Sequence, residues 1–125
     1  MKWTFAIPVF FALICSACST PQSVTQNFVL AMSNGDSDKA MEYLHIADRN
    51  NIDEIVFIKE VILPTFMRKF LRLSSHNGGV ANVQIDSVQE NGNRAKVLYS
   101  VQFKNGRTIK DSLWLQKDSG WYVLR

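Results

Sequence analysis

The stretch VQIDSVQENGNRAKVLYSVQFKNGRTIKDSLWLQKDSGWYVLR, residues 83–125, decides the fold. Its alternating apolar and polar positions predict four β-strands joined by three hairpin loops, each ending in glycine. The loops are Glu90-Asn91-Gly92, Lys104-Asn105-Gly106 and Asp118-Ser119-Gly120. A three-residue hairpin loop puts its last residue in the left-handed region, where glycine has no Cβ to clash. That choice sets residue 89 opposite 93, 103 opposite 107 and 117 opposite 121. All odd-numbered positions then share one face: Val83, Ile85, Ala95, Val97, Tyr99, Val101, Phe103, Ile109, Leu113, Leu115, Trp121 and Val123. A two-residue turn at Asn105-Gly106 would instead mix Val97, Val101 and Phe103 with Thr108, Lys110 and Trp114. Register is specified by the apolar face, because a one-residue slip turns every side chain over. The three-residue reading gives one continuous apolar wall.

Upstream of the sheet the apolar spacing becomes helical. Thr20 is placed to cap a helix that starts at Pro21, buries Val24, Phe28, Ala31 and Met32, and stops at Asn34-Gly35. Asp36 or Ser37 caps a second short helix with Ala40, Tyr43 and Leu44 inward. A third helical stretch runs from about Asn51 to Leu63, where Pro64 is expected to interrupt it by removing a donor and crowding the previous turn. A further helix carries Phe66, Met67, Phe70 and Leu71, and Ser74–Gly79 is a polar crossover into the sheet. Helices followed by an antiparallel meander give an α+β fold, with the helices packed on one face of the sheet.

The chain has 125 residues and a formal charge of +3, one unit of it from Lys2. A single domain is the natural size, and so mild a charge excludes a nucleic-acid footprint. The N-terminus reads as a leader rather than as part of the domain. Met1-Lys2-Trp3-Thr4 is a short positive head, Phe5–Ile14 an apolar run, and Ser16-Ala17 a pair of small residues before Cys18. The box Cys15-Ser16-Ala17-Cys18 resembles a bacterial lipoprotein signal, with Cys15 where leucine is usual. The resemblance implies cleavage after residue 17, acylation of Cys18 and, with Ser19 rather than aspartate next, sorting to the outer membrane facing the periplasm. The expected organisation is a signal peptide over 1–17, a lipidated anchor at 18–19 and a domain over 20–125. Both cysteines fall in the leader region, so the domain itself has no thiol for a disulfide, a metal or a nucleophile.

The helical start, Pro21…Phe28…Ala31…Asn34-Gly35-Asp36…Ala40…Tyr43-Leu44, is similar to that of nuclear transport factor 2-like (cystatin-like) domains. The tail is similar too, from Val97-Leu98-Tyr99 through Phe103-Lys104-Asn105-Gly106 to Leu113-Trp114-Leu115 and Gly120-Trp121-Tyr122-Val123. Within that fold the chain resembles a bacterial lipoprotein family of unknown function, sometimes called lumazine-binding-like. The resemblance implies a cone-shaped domain, a strongly curved four-stranded sheet wrapped around helices, often with a pocket between them.

Two site hypotheses follow. On the odd face, Ser87, Tyr99 and Asp111 are the polar exceptions, and the register makes Tyr99 and Asp111 cross-strand neighbours. With Phe103 and Trp121 they outline a candidate pocket. A carboxylate beside a phenol resembles the acid/base equipment of ketosteroid-isomerase-like members of the superfamily; the alternative is a solvated Asp111 and a core tyrosine. On the even face, Trp114 lies between Lys96 and Leu124, with Leu98 and Tyr122 nearby, a candidate surface for a protein partner or a homodimer. The alternative is a Trp114 that packs on the Lys96 stem. Arg68, Lys69 and Arg72 share one side of a helix, read as a solvated face or a rest on anionic head groups. His45 and His76 lack metal-ligand spacing, and no cofactor or metal is implied. The expectation is a non-catalytic envelope binding or scaffold module anchored to the membrane through Cys18. A small apolar-ligand carrier and an isomerase-like enzyme are the alternatives.

Overall fold

The computed structural model describes residues 19–125. The expected signal peptide and Cys18 lie outside the described residues. Helix α1 (Pro21–Asn34) starts as the sequence predicts: Thr20 is the N-cap, its hydroxyl accepts from Ser23 N–H, and Pro21 follows at the first helical position. Gly35 ends it with φ 71°, a left-handed C-cap that a Cβ would strain. Asp36 caps α2 (Ser37–Tyr43) by accepting from Lys39 N–H at 3.1 Å. Val24, Phe28, Ala31 and Met32 of α1 and Ala40 of α2 are all buried.

Pro64 does not break the next helix. Helix α3 (Ile52–Phe57) passes through a π-turn at Ile58–Ile62 directly into α4 (Leu63–His76). The π-turn hands Leu63 N–H to the Ile58 carbonyl, five residues back, just before the proline that has no donor of its own. Widening the helix by one residue there avoids the clash that proline makes in a regular helix interior, so the axis continues. The extra residue also resets the apolar stripe, which turns Ile58, Leu63 and Met67 inward.

The sheet has the expected meander order, β1 (Val80–Asn91), β2 (Arg94–Phe103), β3 (Thr108–Lys117) and β4 (Trp121–Val123), all antiparallel. Two of the three hairpins keep the predicted register: Val101 faces Ile109, Val97 faces Leu113, and Leu115 faces Val123. The first hairpin differs. Asn91 pairs with Arg94 across a two-residue Gly92-Asn93 turn with Gly92 at φ 65°, the first-position glycine of a tight primed turn. A register shift between Ile85 and Ser87 then returns odd residues opposite odd ones, two places from the expected partners: Val83 faces Val101 and Ile85 faces Tyr99. Beyond that bulge the faces are exchanged, so Val88 turns toward the core and Ser87 is exposed. The third loop differs in detail: Ser119, not Gly120, takes the left-handed conformation, at φ 63°.

The helices cover the odd face. Ala95, Val97, Tyr99, Val101, Phe103, Leu115, Trp121 and Val123 are buried beneath them, and each large apolar side chain contributes roughly 1.5–3 kcal/mol on burial. Phe70, Ile85 and Leu113 bridge two core clusters, one at the β4 end of the sheet and one around Tyr99 and Phe103. Leu44 extends the sheet edge by a parallel bridge to Val123, and His45 N–H donates to the Val123 carbonyl at 2.7 Å. Among the described residues no helix is long and apolar enough to cross a membrane.

Candidate functional site

The predicted cross-strand pair is real, since Tyr99 and Asp111 face each other on β2 and β3. What surrounds them decides their chemistry. Phe70, Leu73, Val101, Phe103 and Ile109 close around the pair and leave about 20 Å³, no more than one water's space. Tyr99 is 1% exposed, and burial pushes its phenol far above the ordinary range, with the Asp111 carboxylate adding to the shift. Asp111 sits at the rim, where its Oδ2 lies 3.4 Å from Lys69 Nζ and its Oδ1 accepts from Ser112 N–H at 2.8 Å. A general base must reach a substrate proton. Here the carboxylate is engaged by a lysine, and the space beside the phenol is filled.

Of the other residues assigned to that pocket, Phe103 lines the same small space. Ser87 does not, because the bulge carries it to the solvent side of the sheet. Trp121 lies in the other core cluster, and its backbone N–H donates to Ser19 Oγ at 2.7 Å.

A different hollow lies between helices and sheet, where the resemblance implied a pocket but with other residues at its walls. It measures about 120 Å³ and is lined by Phe28, Met32, Ile62, Phe66, Leu113 and Leu124 among others. Ile62 and Leu63 at its wall come from the π-turn junction. The volume is close to that of a cavity that takes a benzene-sized guest. Proline inside an apolar helical stretch is the signal that marks the place, though not the space.

On the outer face, Trp114 is 51% exposed and Leu98 37%, with Lys96 Nζ 5.6 Å from the Trp114 ring centroid. The Arg49 guanidinium lies 5.0 Å over the Tyr122 ring. Leu124 follows the last residue of β4; its N–H donates to the Trp114 carbonyl at 2.8 Å, and the residue borders the apolar hollow. Of the residues assigned to that surface, Trp114 and Leu98 are the exposed large apolar ones. Beside it, Ser100 donates to Asp86 Oδ2, and Lys110 Nζ lies 3.4 Å from Ser100 Oγ and 3.8 Å from Asp86. The hydrogen bond from Ser100 is the main cause holding the Asp86 carboxyl below its usual range. The bulge that displaces Ser87 also sets Asp86 over Ser100.

A family model described as Domain of unknown function (DUF4878) matches residues 14–124. The chain belongs to this family. A crystal structure from Campylobacter jejuni, provisionally described as an NTF2-like transpeptidase, is similar with a TM-score of 0.74 and 25% identity, over 86% of this chain and 99% of that one. A solution structure of a SEC-C motif containing protein from Rhodopseudomonas palustris shares the fold, with a TM-score of 0.53 and 16% identity over 90% and 83% of the two chains. No curated protein matches the sequence. The nuclear transport factor 2-like fold is thus established for this member of the family.

Ser100 is 2% exposed, and its proton is directed to Asp86 while Lys110 Nζ stands 3.4 Å from its oxygen. Among the described residues there is no group of three or more His, Cys, Asp or Glu able to hold a metal.

Proposed function

We propose that the chain is a lipid-anchored, extracytoplasmic module of the bacterial envelope that binds a protein partner through the outer face of its sheet and performs no catalysis itself. The leader supports the anchor, with an apolar run at Phe5–Ile14 and small residues before Cys18. The observation that carries the binding role is the exposed Trp114, set beside Leu98 on the face the helices leave open. Half-exposed tryptophan is the residue type most often found as an interface anchor. The filled surroundings of Tyr99 and the Lys69–Asp111 pair weigh against the isomerase-like alternative.

The apolar hollow supports a second reading, a carrier for a small apolar ligand or the end of a larger one. Its walls hold few polar groups to orient a guest, so shape and burial would supply the affinity.

A photoreactive amino acid in place of Trp114, introduced in the full chain in living cells, tests the first reading. One discrete adduct is expected, much weaker when the same group replaces the solvated Lys104 at the far end of the sheet. An adduct at twice the chain's mass would identify the partner as a second copy. Equal, diffuse labelling from both positions would contradict a binding surface at Trp114.

A further inference from the structure

A polar groove of about 220 Å³ lies between the 45–49 loop and the β3–β4 hairpin, lined by His45, Ile46, Arg49, Asp118, Ser119 and Tyr122. Its arginine is held in place. Arg49 Nη2 donates to the Leu44 carbonyl at 2.6 Å while the guanidinium rests on the Tyr122 ring, leaving its remaining N–H groups uncommitted by those contacts. His45 is anchored through its backbone to Val123, and its Nε2 stands 3.8 Å from Asp118 Oδ2 across the groove. At the lip, Ser119 has φ 63° and turns the hairpin.

The position of this groove is as telling as its lining. Gly120, next to Ser119, packs so closely on Ser19 that a Cβ there would stand 3.1 Å from Ser19 Oγ. Ser19 also accepts from Trp121 N–H, and the α1 cap begins at the next residue. No slack chain therefore separates the groove's hairpin from residue 18. With Cys18 acylated, this end of the sheet faces the bilayer, while the Lys104-Asn105-Gly106 loop and the end of α4 lie at the opposite end.

We propose that the groove binds a phospholipid head group carrying both a phosphodiester and a primary ammonium, as phosphatidylethanolamine does; the placement rests on the lipid-anchor reading above. Arg49 takes the phosphodiester, with fixed planar N–H groups that suit phosphate oxygens. Asp118, its side chain 66% exposed, takes the ammonium. A purely anionic head group would meet the Asp118 carboxylate unpaired, whereas a zwitterion satisfies both signs at once.

The test uses the full chain purified from membranes in a non-ionic detergent, titrated with glycerophosphoethanolamine and followed by the imidazole proton resonances. His45 is expected to shift saturably, while His76, at the end of α4, stays still as an internal reference. Arg49→Gln and Asp118→Asn are each expected to weaken binding about tenfold, the loss of one charge-assisted contact. Because Asp118 is exposed, its variant keeps the proposal testable even if removing the Arg49–Leu44 bond disturbs the loop. Vesicles of phosphatidylethanolamine with phosphatidylglycerol should reproduce the His45 shift, and phosphatidylglycerol alone should not. No saturable shift, equal binding of inorganic phosphate, or indifference to Asp118→Asn would overturn the proposal. A response to the soluble probe but not to the vesicles would overturn the membrane source. The soluble probe does not depend on acylation, so a failure here is distinct from a failure of the anchor, which is read from the mass of residue 18.

Discussion

Ser19 and Gly120 show how one contact ties the start of the first helix's cap to the last hairpin. The Ser19 hydroxyl fills the space that a Cβ on Gly120 would need and accepts a backbone hydrogen bond from Trp121. Gly120 therefore serves close approach rather than a left-handed turn, and Ser119 adopts the positive φ in its place. Gly120→Ala is expected to destabilise the full chain by about 1 kcal/mol, from overpacking. Ser19→Ala should cost about 1 kcal/mol through the lost hydrogen bond. The two changes should not add, since removing the hydroxyl also removes the obstacle to the methyl. Urea unfolding of both single variants and the double variant checks this, and strictly additive losses would show that the contact is not what Gly120 is for.

At the scale of elements, the sheet was legible where a hairpin kept a three-residue loop and illegible where two devices compensated. Lys104-Asn105-Gly106 and Asp118-Ser119-Gly120 gave correct partners, down to the Tyr99–Asp111 pair. Around Gly92 the turn is one residue shorter than a three-residue loop, and the bulge before Ser87 restores only the odd-with-odd parity. The partners of Val83 and Ile85 move two places along β2, a change that the alternation of apolar residues alone does not reveal. The exchange has a measurable consequence. Val88→Ser should cost about 1–2 kcal/mol as buried apolar surface is lost, and Ser87→Ala should stay within about 0.5 kcal/mol. Equal costs in chemical denaturation would place the bulge elsewhere. The π-turn was hidden for a related reason. Proline is readable as a break, but whether a helix stops or widens depends on the core beneath it, here Ile58, Leu63 and Met67.

For the whole molecule, the α+β fold and its curved meander were written in the order of periodicities, helical before Gly79 and alternating after it. The candidate sites were less legible, because a site depends on what fills the space between elements. Tyr99 and Asp111 meet as expected, yet Phe70 and Leu73 from α4 occupy the room a substrate would need. The polar groove depends on Arg49, His45 and Asp118, residues distant in sequence that share no motif spacing. A single residue, Ser19, stands between a cysteine read as lipidated and the hairpin that it holds. The most direct measurement is the intact mass of the protein isolated from bacterial membranes, with fragmentation of its N-terminal peptide. The account predicts a chain that begins at Cys18 and carries the added mass of its acyl chains. A mature chain that begins at any other residue, or an unmodified Cys18, would contradict it.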